Sequence, residues 1–392
     1  MLTLMLFFAA SLPAFAQRPG ASLEIALVTI GPGEIYWERF GHNAIVVRDT
    51  VAGDGRIYHF GIFDFESENF LLEFLRGRMV YLAVAEPLGD FGPYLGAGRS
   101  IDVQWLALSP PQRAALRDHL EWHVAPENSR YRYDYYERNC STKIRDALDL
   151  ATGGAVRAAL DGPSRGVTYR WHTQRLTAPQ PWLYLGTHAG LSGYTDAPIT
   201  YWQEAFVPME LARRLRDVTV TDESGTRVPL VAREQRLAQA SIPAPGATPP
   251  RWRAGFLLVG VVVAALIGWL AASRRRRTLG ALSGALWLFA GLGGALLAAL
   301  WLLTEHRPAW ANENLLLFNP LALGLVPSAF VSRWRHGPYA RTMAWLVAAS
   351  AVVALVAKAL PGFRQDNLDW ILLWLPIHFA LALTLAVRPA RA

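Results

Sequence analysis

From residue 254 onward the chain carries five apolar stretches, and these constrain its fold more than any other feature. They run from Ala254 to Ala272, Leu279 to Leu303, Leu315 to Val331, Met343 to Leu360 and Trp370 to Val387, 17 to 25 residues each. About 20 apolar residues in a helix cross a bilayer core, where every backbone polar group must be satisfied inside the protein. The sequence therefore predicts an all-α, five-helix transmembrane domain over residues 254–392. Asn319, Pro320, Pro327, Pro376 and His378 interrupt the later stretches. Such residues are tolerated where neighbouring helices satisfy the polar groups they free.

The rest of the chain is different in character. Over all 392 residues, 52% are apolar and 18% charged, with mean hydropathy +0.18. That is too apolar for a wholly soluble chain and too charged for a wholly membrane-embedded one. The change falls at Ser241-Ile-Pro-Ala-Pro-Gly-Ala-Thr-Pro-Pro250, which cannot continue a helix. Residues 241–253 thus read as a linker and 17–240 as a separate domain. At the N-terminus, the run from Leu2 to Ala10 is too short to span a membrane, and Ala14-Phe15-Ala16 follows it. This is the pattern of a cleaved export signal over residues 1–16, although no Lys or Arg precedes the apolar run.

Arginine placement gives an independent prediction of topology. Arg274 to Arg277, Arg333, Arg335, Arg341, Arg388 and Arg391 lie on one side of the predicted helices, against Arg307 and Arg364 on the other. Nine against two places the Arg274 loop in the cytoplasm and the 17–240 domain outside. The net charge of +7 follows from this bias, so it is no sign of nucleic-acid binding. A single cysteine excludes an intramolecular disulfide and any multi-cysteine zinc site.

The exported domain reads as α+β. Leu23 to Ile30 is β-prone. Ala44 to Arg48 and Arg56 to Phe65 flank the turn Ala52-Gly-Asp-Gly55, which predicts a hairpin. Glu66 to Arg76 and Pro110 to Val124 have helical periodicity. Asn139 is a good N-cap for a short helix from Cys140 to Leu150, ending at Gly153-Gly154.

Two sites carry chemistry. In Phe40-Gly41-His42-Asn43 a histidine opens a strand after a glycine. In Arg138-Asn139-Cys140-Ser141-Thr142 a cysteine stands in the first turn of a helix. Free N–H groups and the helix dipole there favour a thiolate, and the Cys140 N–H is placed to hold an oxyanion. A facing histidine takes the thiol proton and later returns it. A buried thiol with no role and a satisfied core histidine are the plainer readings of each residue alone. Together they form a Cys–His pair. His59 and Asp64, on the returning strand, are the two candidates to orient the imidazole. A turn centred near residue 53 sets Asp64 almost opposite His42, which favours Asp64. His119-Leu-Glu-Trp-His123 lacks the Glu that a zinc peptidase helix needs after its first His, so no metal is expected. His172 and His188 have no partner that the sequence reveals.

The order of these motifs resembles the circularly permuted papain-like fold of lecithin:retinol acyltransferase and its relatives. A fuller resemblance is to the Lnb lipoprotein N-acyltransferase family, in which an exported domain precedes a multispanning one. Phe40-Gly-His-Asn43, Tyr58-His-Phe-Gly-Ile-Phe-Asp-Phe65, Asn69-Phe70 with Arg76-Gly77, and Asn139-Cys-Ser-Thr142 carry it. Pro181-Trp182, Gly190-Leu-Ser-Gly193 with Asp196, and Asn314-Leu-Leu-Leu-Phe-Asn-Pro-Leu321 extend it to the end of the chain. At the position of His59 the family leads us to expect Asn or a similar group.

The resemblance implies a multi-pass protein of the inner membrane with its catalytic domain in the periplasm. It implies acyl transfer from a membrane phospholipid, through a Cys140 thioester, to the N-terminal amine of a diacylglyceryl-cysteine lipoprotein, without metal or diffusible cofactor. In the outer loop Thr304 to Glu313, His306, Arg307 and Trp310 are the expected lipid contacts. A cell-wall thiol peptidase or amidase would use the same pair, and a non-catalytic membrane assembly module would use neither.

Overall fold

The computed structural model describes residues 18–386 except 66, 67, 90 and 336. The predicted signal peptide and the tail arginines Arg388 and Arg391 lie outside the described residues.

The exported domain is built on a seven-stranded antiparallel sheet. Its strands are β1 (Leu23–Ile30), β2 (His42–Asp49), β3 (Gly55–Phe63), β4 (Val80–Pro87), β5 (Ile101–Leu106), β6 (Arg130–Arg132) and β7 (Val231–Ala238), in the order β7-β5-β1-β2-β3-β4-β6. The expected β2–β3 hairpin forms, with Ala44 opposite His59 and Arg48 opposite Gly55. The central strands are covered on both faces. Leu23, Ile25, Leu27, Ile45, Val47, Tyr58 and Phe60 enter one core. Ala26, Val28, Ile30, Ala44, Val46 and Ile57 enter another. Burial on both faces explains why β1 reads as a nearly continuous apolar run instead of alternating. Helices α1 (Pro110–Val124) and α2 (Cys140–Ala151) lie on the first face, through Leu116, Leu120, Ile144 and Leu148. Among the described residues of the helix expected over Glu66 to Arg76, Phe70–Leu75 are helical.

Among the described residues, the membrane half has four helices long and apolar enough to cross a bilayer: α3 (Arg253–Ala272), α4 (Arg276–Leu303), α5 (Pro338–Val356) and α6 (Leu368–Ala386). The continuous helix predicted over Leu315 to Val331 is not there. That segment runs as 3₁₀ turns at Glu313–Leu316 and Pro320–Leu325, followed by one short helix, Val326–Phe330. Pro320 and Pro327 remove donors and block the preceding turn. The carbonyls so freed find side chains: Ser350 Oγ donates to Leu316 O at 2.8 Å, and His378 Nε2 lies 2.9 Å from Leu317 O. Glycines on α4 let this irregular backbone approach. A Cβ on Gly294 would lie 2.2 Å from Phe318 O, and one on Gly291 2.6 Å from Leu323. Non-helical backbone at such depth is stable only when buried in protein.

The two halves are fastened together at the outer end of the helices. Glu305 N–H donates to Arg76 O, and Ser192 N–H to Pro308 O, each at 2.7 Å. Asn312 Nδ2 donates to Gly190 O at 2.8 Å and Asn314 Nδ2 to Ala189 O at 2.9 Å. Glu305 also pairs with Arg78 and Arg132. Gly77, at φ +75°, permits the closest approach, since a Cβ there would meet His306 N at 2.7 Å.

Candidate active site

Cys140 is the first residue of α2, and its position is fixed by the cap before it. Asn139 Oδ1 accepts from Thr142 N at 2.9 Å, while Thr142 Oγ1 accepts from Asn139 N at 2.8 Å. Asn139 Nδ2 reaches Phe206 O at 2.8 Å and Ser141 Oγ reaches Ala205 O at 2.6 Å. A cap of this type stabilises a helix by about 1 kcal/mol; here it also holds the thiol in register against the sheet.

The thiol sits under a bulge. The β3–β4 register shifts between Phe60 and Ile62, and Gly61 takes φ +84°. A Cβ on Gly61 would come within 3.7 Å of Cys140 Cβ and 3.3 Å of the Tyr133 ring. The bulge thus makes room for the thiol and for whatever approaches it. An isolated glycine in a strand pattern was the available sequence signal for it.

His42 and His59 are brought together. Their rings stack at 5.3 Å with 16° between planes, and His42 Nε2 lies 3.1 Å from His59 Nδ1. Asp64 is elsewhere. With Ala44 opposite His59, the register carries His42 toward Gly61, three residues short of Asp64. The buried Asp64 carboxylate pairs with Arg130 at 2.9 Å. The expectation that Asp64 faces His42 is corrected on this point, because the hairpin turn is centred earlier than supposed.

Electrostatics keep the group neutral at rest. Burial pushes the Cys140 thiol up, against the N–H groups of Asn43, Ser141 and Cys140 itself and the nearby Arg99, which pull it down. Burial, then His59 and Arg99, lowers His42 to about 3. His59 is lowered as well, chiefly by burial. The helix start therefore does not by itself yield a standing thiolate. Arg99, which the sequence did not single out, is 3% exposed, pairs with Glu38 at 3.2 Å and donates to Gly31 O at 2.8 Å. Its Nη2 has no hydrogen-bond partner among the described residues. Its field reaches both Cys140 and His42.

A pH dependence of stability follows. In the unfolded chain His42 takes up a proton near pH 6.5, whereas in the folded protein it does so only near 3. Between these values the unfolded state binds more protons, so stability is full above 6.5 and falls as the pH drops through the window. The melting temperature of the full chain in detergent should fall between pH 7 and pH 4.5. His42→Gln should make that fall shallower; an unchanged slope would show that His42 is not held neutral.

The remaining expected sites are placed as follows. His306 is half-buried at the domain junction: its ring stacks on Tyr135 at 6.1 Å, and the Phe74 and Leu75 carbonyls raise its proton affinity against the effect of burial. Arg307 is exposed, and Trp310 is 38% exposed with Nε1 donating to Thr304 O at 3.0 Å. His172 lies 3.0 Å from Glu204 and His188 Nδ1 2.8 Å from Gln174 Nε2. Ligand atoms of His172, Glu204 and Glu210 lie within 4.8 Å of one another. Arg165, Arg213 and Arg214 already neutralise those carboxylates. The cluster fixes the Tyr201–Glu204 turn whose neighbours Ala205 and Phe206 hold the start of α2.

Two family models match the chain. Residues 14–177 match the Lnb N-terminal periplasmic domain and residues 246–388 the Lnb transmembrane domain, together more than three quarters of its length. No curated protein and no solved structure matches it.

Proposed function

The chain belongs to the Lnb family, as a multi-pass membrane protein with a periplasmic domain, and from this premise we propose that it N-acylates lipoproteins through Cys140. The family points to lipoprotein maturation. The observation that carries the reaction is the lone thiol at a capped helix start, beside the N–H of Asn43, which follows His42 of the linked His42–His59 pair, on a domain clamped to a membrane bundle. The strand histidine precedes the helix cysteine in the chain, which supports a permuted papain-like arrangement.

With His42 Nε2 engaged by His59, Nδ1 is the nitrogen that takes the Cys140 proton. The sulfur attacks the ester carbonyl of a membrane phospholipid. The acyl carbon–oxygen bond breaks, His42 returns the proton to the leaving glyceryl oxygen, and a lysophospholipid departs. The free α-amine of a diacylglyceryl-cysteine lipoprotein then attacks the thioester. The carbon–sulfur bond breaks, and the amine proton passes through His42 back to the sulfur. The N–H groups of Asn43 and Cys140 and the Arg99 guanidinium stabilise the charge that develops on the thiolate and the oxyanion. Because thiol and imidazole are neutral at rest, the proton moves as the substrate arrives. Tethering the site at the bilayer holds it in reach of two lipid-anchored substrates. Arg307 and Trp310 lie on the same surface as lipid contacts. Residues 1–16 serve as the export signal, 17–240 as the catalytic domain and 241–253 as the linker.

In this role His59 Nδ1 accepts from His42 Nε2–H and holds the ring in the tautomer the reaction needs. Mass spectrometry of lipoprotein N-terminal peptides from cells carrying variants tests it. His59→Leu should lower N-acylation about 10²-fold, His59→Asn should restore much of it, and Asp64→Asn should stay close to wild type. A severe loss in Asp64→Asn with normal activity in His59→Leu would assign the orienting role to Asp64. Unchanged lipoprotein termini in cells lacking the protein would contradict the function.

A further inference from the structure

The periplasmic domain exposes one large apolar face, and the fold says where it points. Leu71 (68% exposed), Leu72 and Leu75 line the outward side of the short helix Phe70–Leu75. Phe65 (73%) stands beside them. Ile35, Tyr36, Trp37 and Trp182 (64%) continue the face. Tyr36 and Trp182 meet edge to face at 6.1 Å, and the row passes inward through Trp37–Phe63, Phe63–Tyr81 and Tyr81–Tyr133 at 6.3, 4.8 and 4.2 Å. Tyr133 is the ring that faces Cys140 across Gly61. The wall is therefore aromatic from the surface to the thiol. Exposed aromatic and leucine side chains in this number are unusual on a surface that faces water.

Both ends of this face are attached to the membrane bundle. At one end Arg76 O accepts Glu305 N–H, two residues past the end of α4, and the His306 ring stacks on Tyr135. The last residues of α4, Leu302 and Leu303, are themselves 72% and 76% exposed, so the apolar surface runs on from the spanning helix to the short one. At the other end, Trp182 lies on the helix Pro181–Gly190, whose Leu185 and Ala189 pack into the bundle core. Trp and Tyr favour the level of the headgroups, and leucines the acyl boundary beneath.

We propose that this face, from Leu71–Leu75 to Trp182, is immersed in the outer leaflet of the membrane, as a lip over which an acyl chain leaves the bilayer and follows the Phe63–Tyr81–Tyr133 wall to Cys140. The passage to Cys140 rests on the acyl-transfer reading; the immersion of the lip does not. Its partner is the lipid surface itself, chosen by the continuity of the face with α4 and by its attachment to the bundle at both ends.

The test uses the full chain in phospholipid nanodiscs, with Cys140→Ser removing the native thiol. Single cysteines at Leu72, Trp182 and, as an aqueous control, the 70% exposed Val51 receive a nitroxide. Relaxation by oxygen and by a water-soluble nickel chelate then reads their depth. The oxygen-to-nickel ratio at Leu72 and at Trp182 should exceed that at Val51 several-fold. Ratios at either position equal to that at Val51 would overturn the proposal. Shielding from both reagents, with a dimeric particle mass, would give the face to a second copy and overturn it too. These readings do not depend on turnover, so failure of the acyl-transfer reading would leave them unchanged. With wild-type Cys140, Leu72→Glu with Leu75→Glu should lower transfer from a long-chain phospholipid several-fold more than from a soluble short-chain ester.

Discussion

A chain carrying Cys140→Ala should transfer no measurable acyl group, a loss of at least about 10⁴-fold, as for removal of a nucleophile from a hydrolase triad. No second cysteine exists to replace it. Cys140→Ser should recover little, because burial already pushes the thiol up and a hydroxyl in the same place is harder still to ionise. The fold should survive both changes. Cys140 is only partly buried, and the Asn139–Thr142 cap that starts α2 does not involve its side chain. Melting temperatures near that of wild type, with activity absent, are the expected pair of results. Full activity in Cys140→Ala would mean that the thiol has no chemical role.

Arg170→Ala should be the most destabilising single change away from the thiol, by about 3–5 kcal/mol. Arg170 is 1% exposed and holds buried Asp196 at 2.7 Å. The same guanidinium donates to His188 O at 3.0 Å and Leu191 O at 2.7 Å. Asp196 in turn accepts Asp366 N–H, from the loop before α6, at 3.2 Å. Removing Arg170 leaves the Asp196 charge without its counter-ion and takes a donor from the His188 and Leu191 carbonyls, at the place where the periplasmic domain meets the bundle. Denaturant unfolding of the full chain in detergent measures the loss. Arg170→Met with Asp196→Leu should regain part of it, since replacing both charges leaves neither unpaired. If Arg170→Ala unfolds like wild type, the ion pair is not what fastens this corner.

The parts of the protein that were legible in the sequence are those set by local chemistry. Asn139 before Cys140 gave the helix start because a cap is satisfied within four residues. The β2–β3 hairpin followed from β-branched runs around Gly53 and Gly55. Whatever depends on register or on distant segments was harder to read. Asp64 follows the end of β3 and lies five positions from His59, and a small error in the turn exchanges them. The field of Arg99 acts on the thiol because β5 pairs with β1 and sets Arg99 against Gly31 O, which no periodicity reveals. The third membrane segment has the composition of a spanning helix. Pro320 and Pro327 break it because Ser350, His378 and the glycines of α4 stand ready to receive the broken backbone, and those partners lie 24 to 61 residues away in the chain.

The central claim is a thioester on Cys140, and trapping it tests that claim most directly. The purified chain incubated with phospholipid, and without lipoprotein, should gain one acyl mass on the peptide that contains Cys140. Neutral hydroxylamine should release it, and a lipoprotein with a free α-amine should clear it while becoming N-acylated. An unmodified Cys140 peptide from protein that remains fully active on lipoproteins would contradict acyl transfer through this residue.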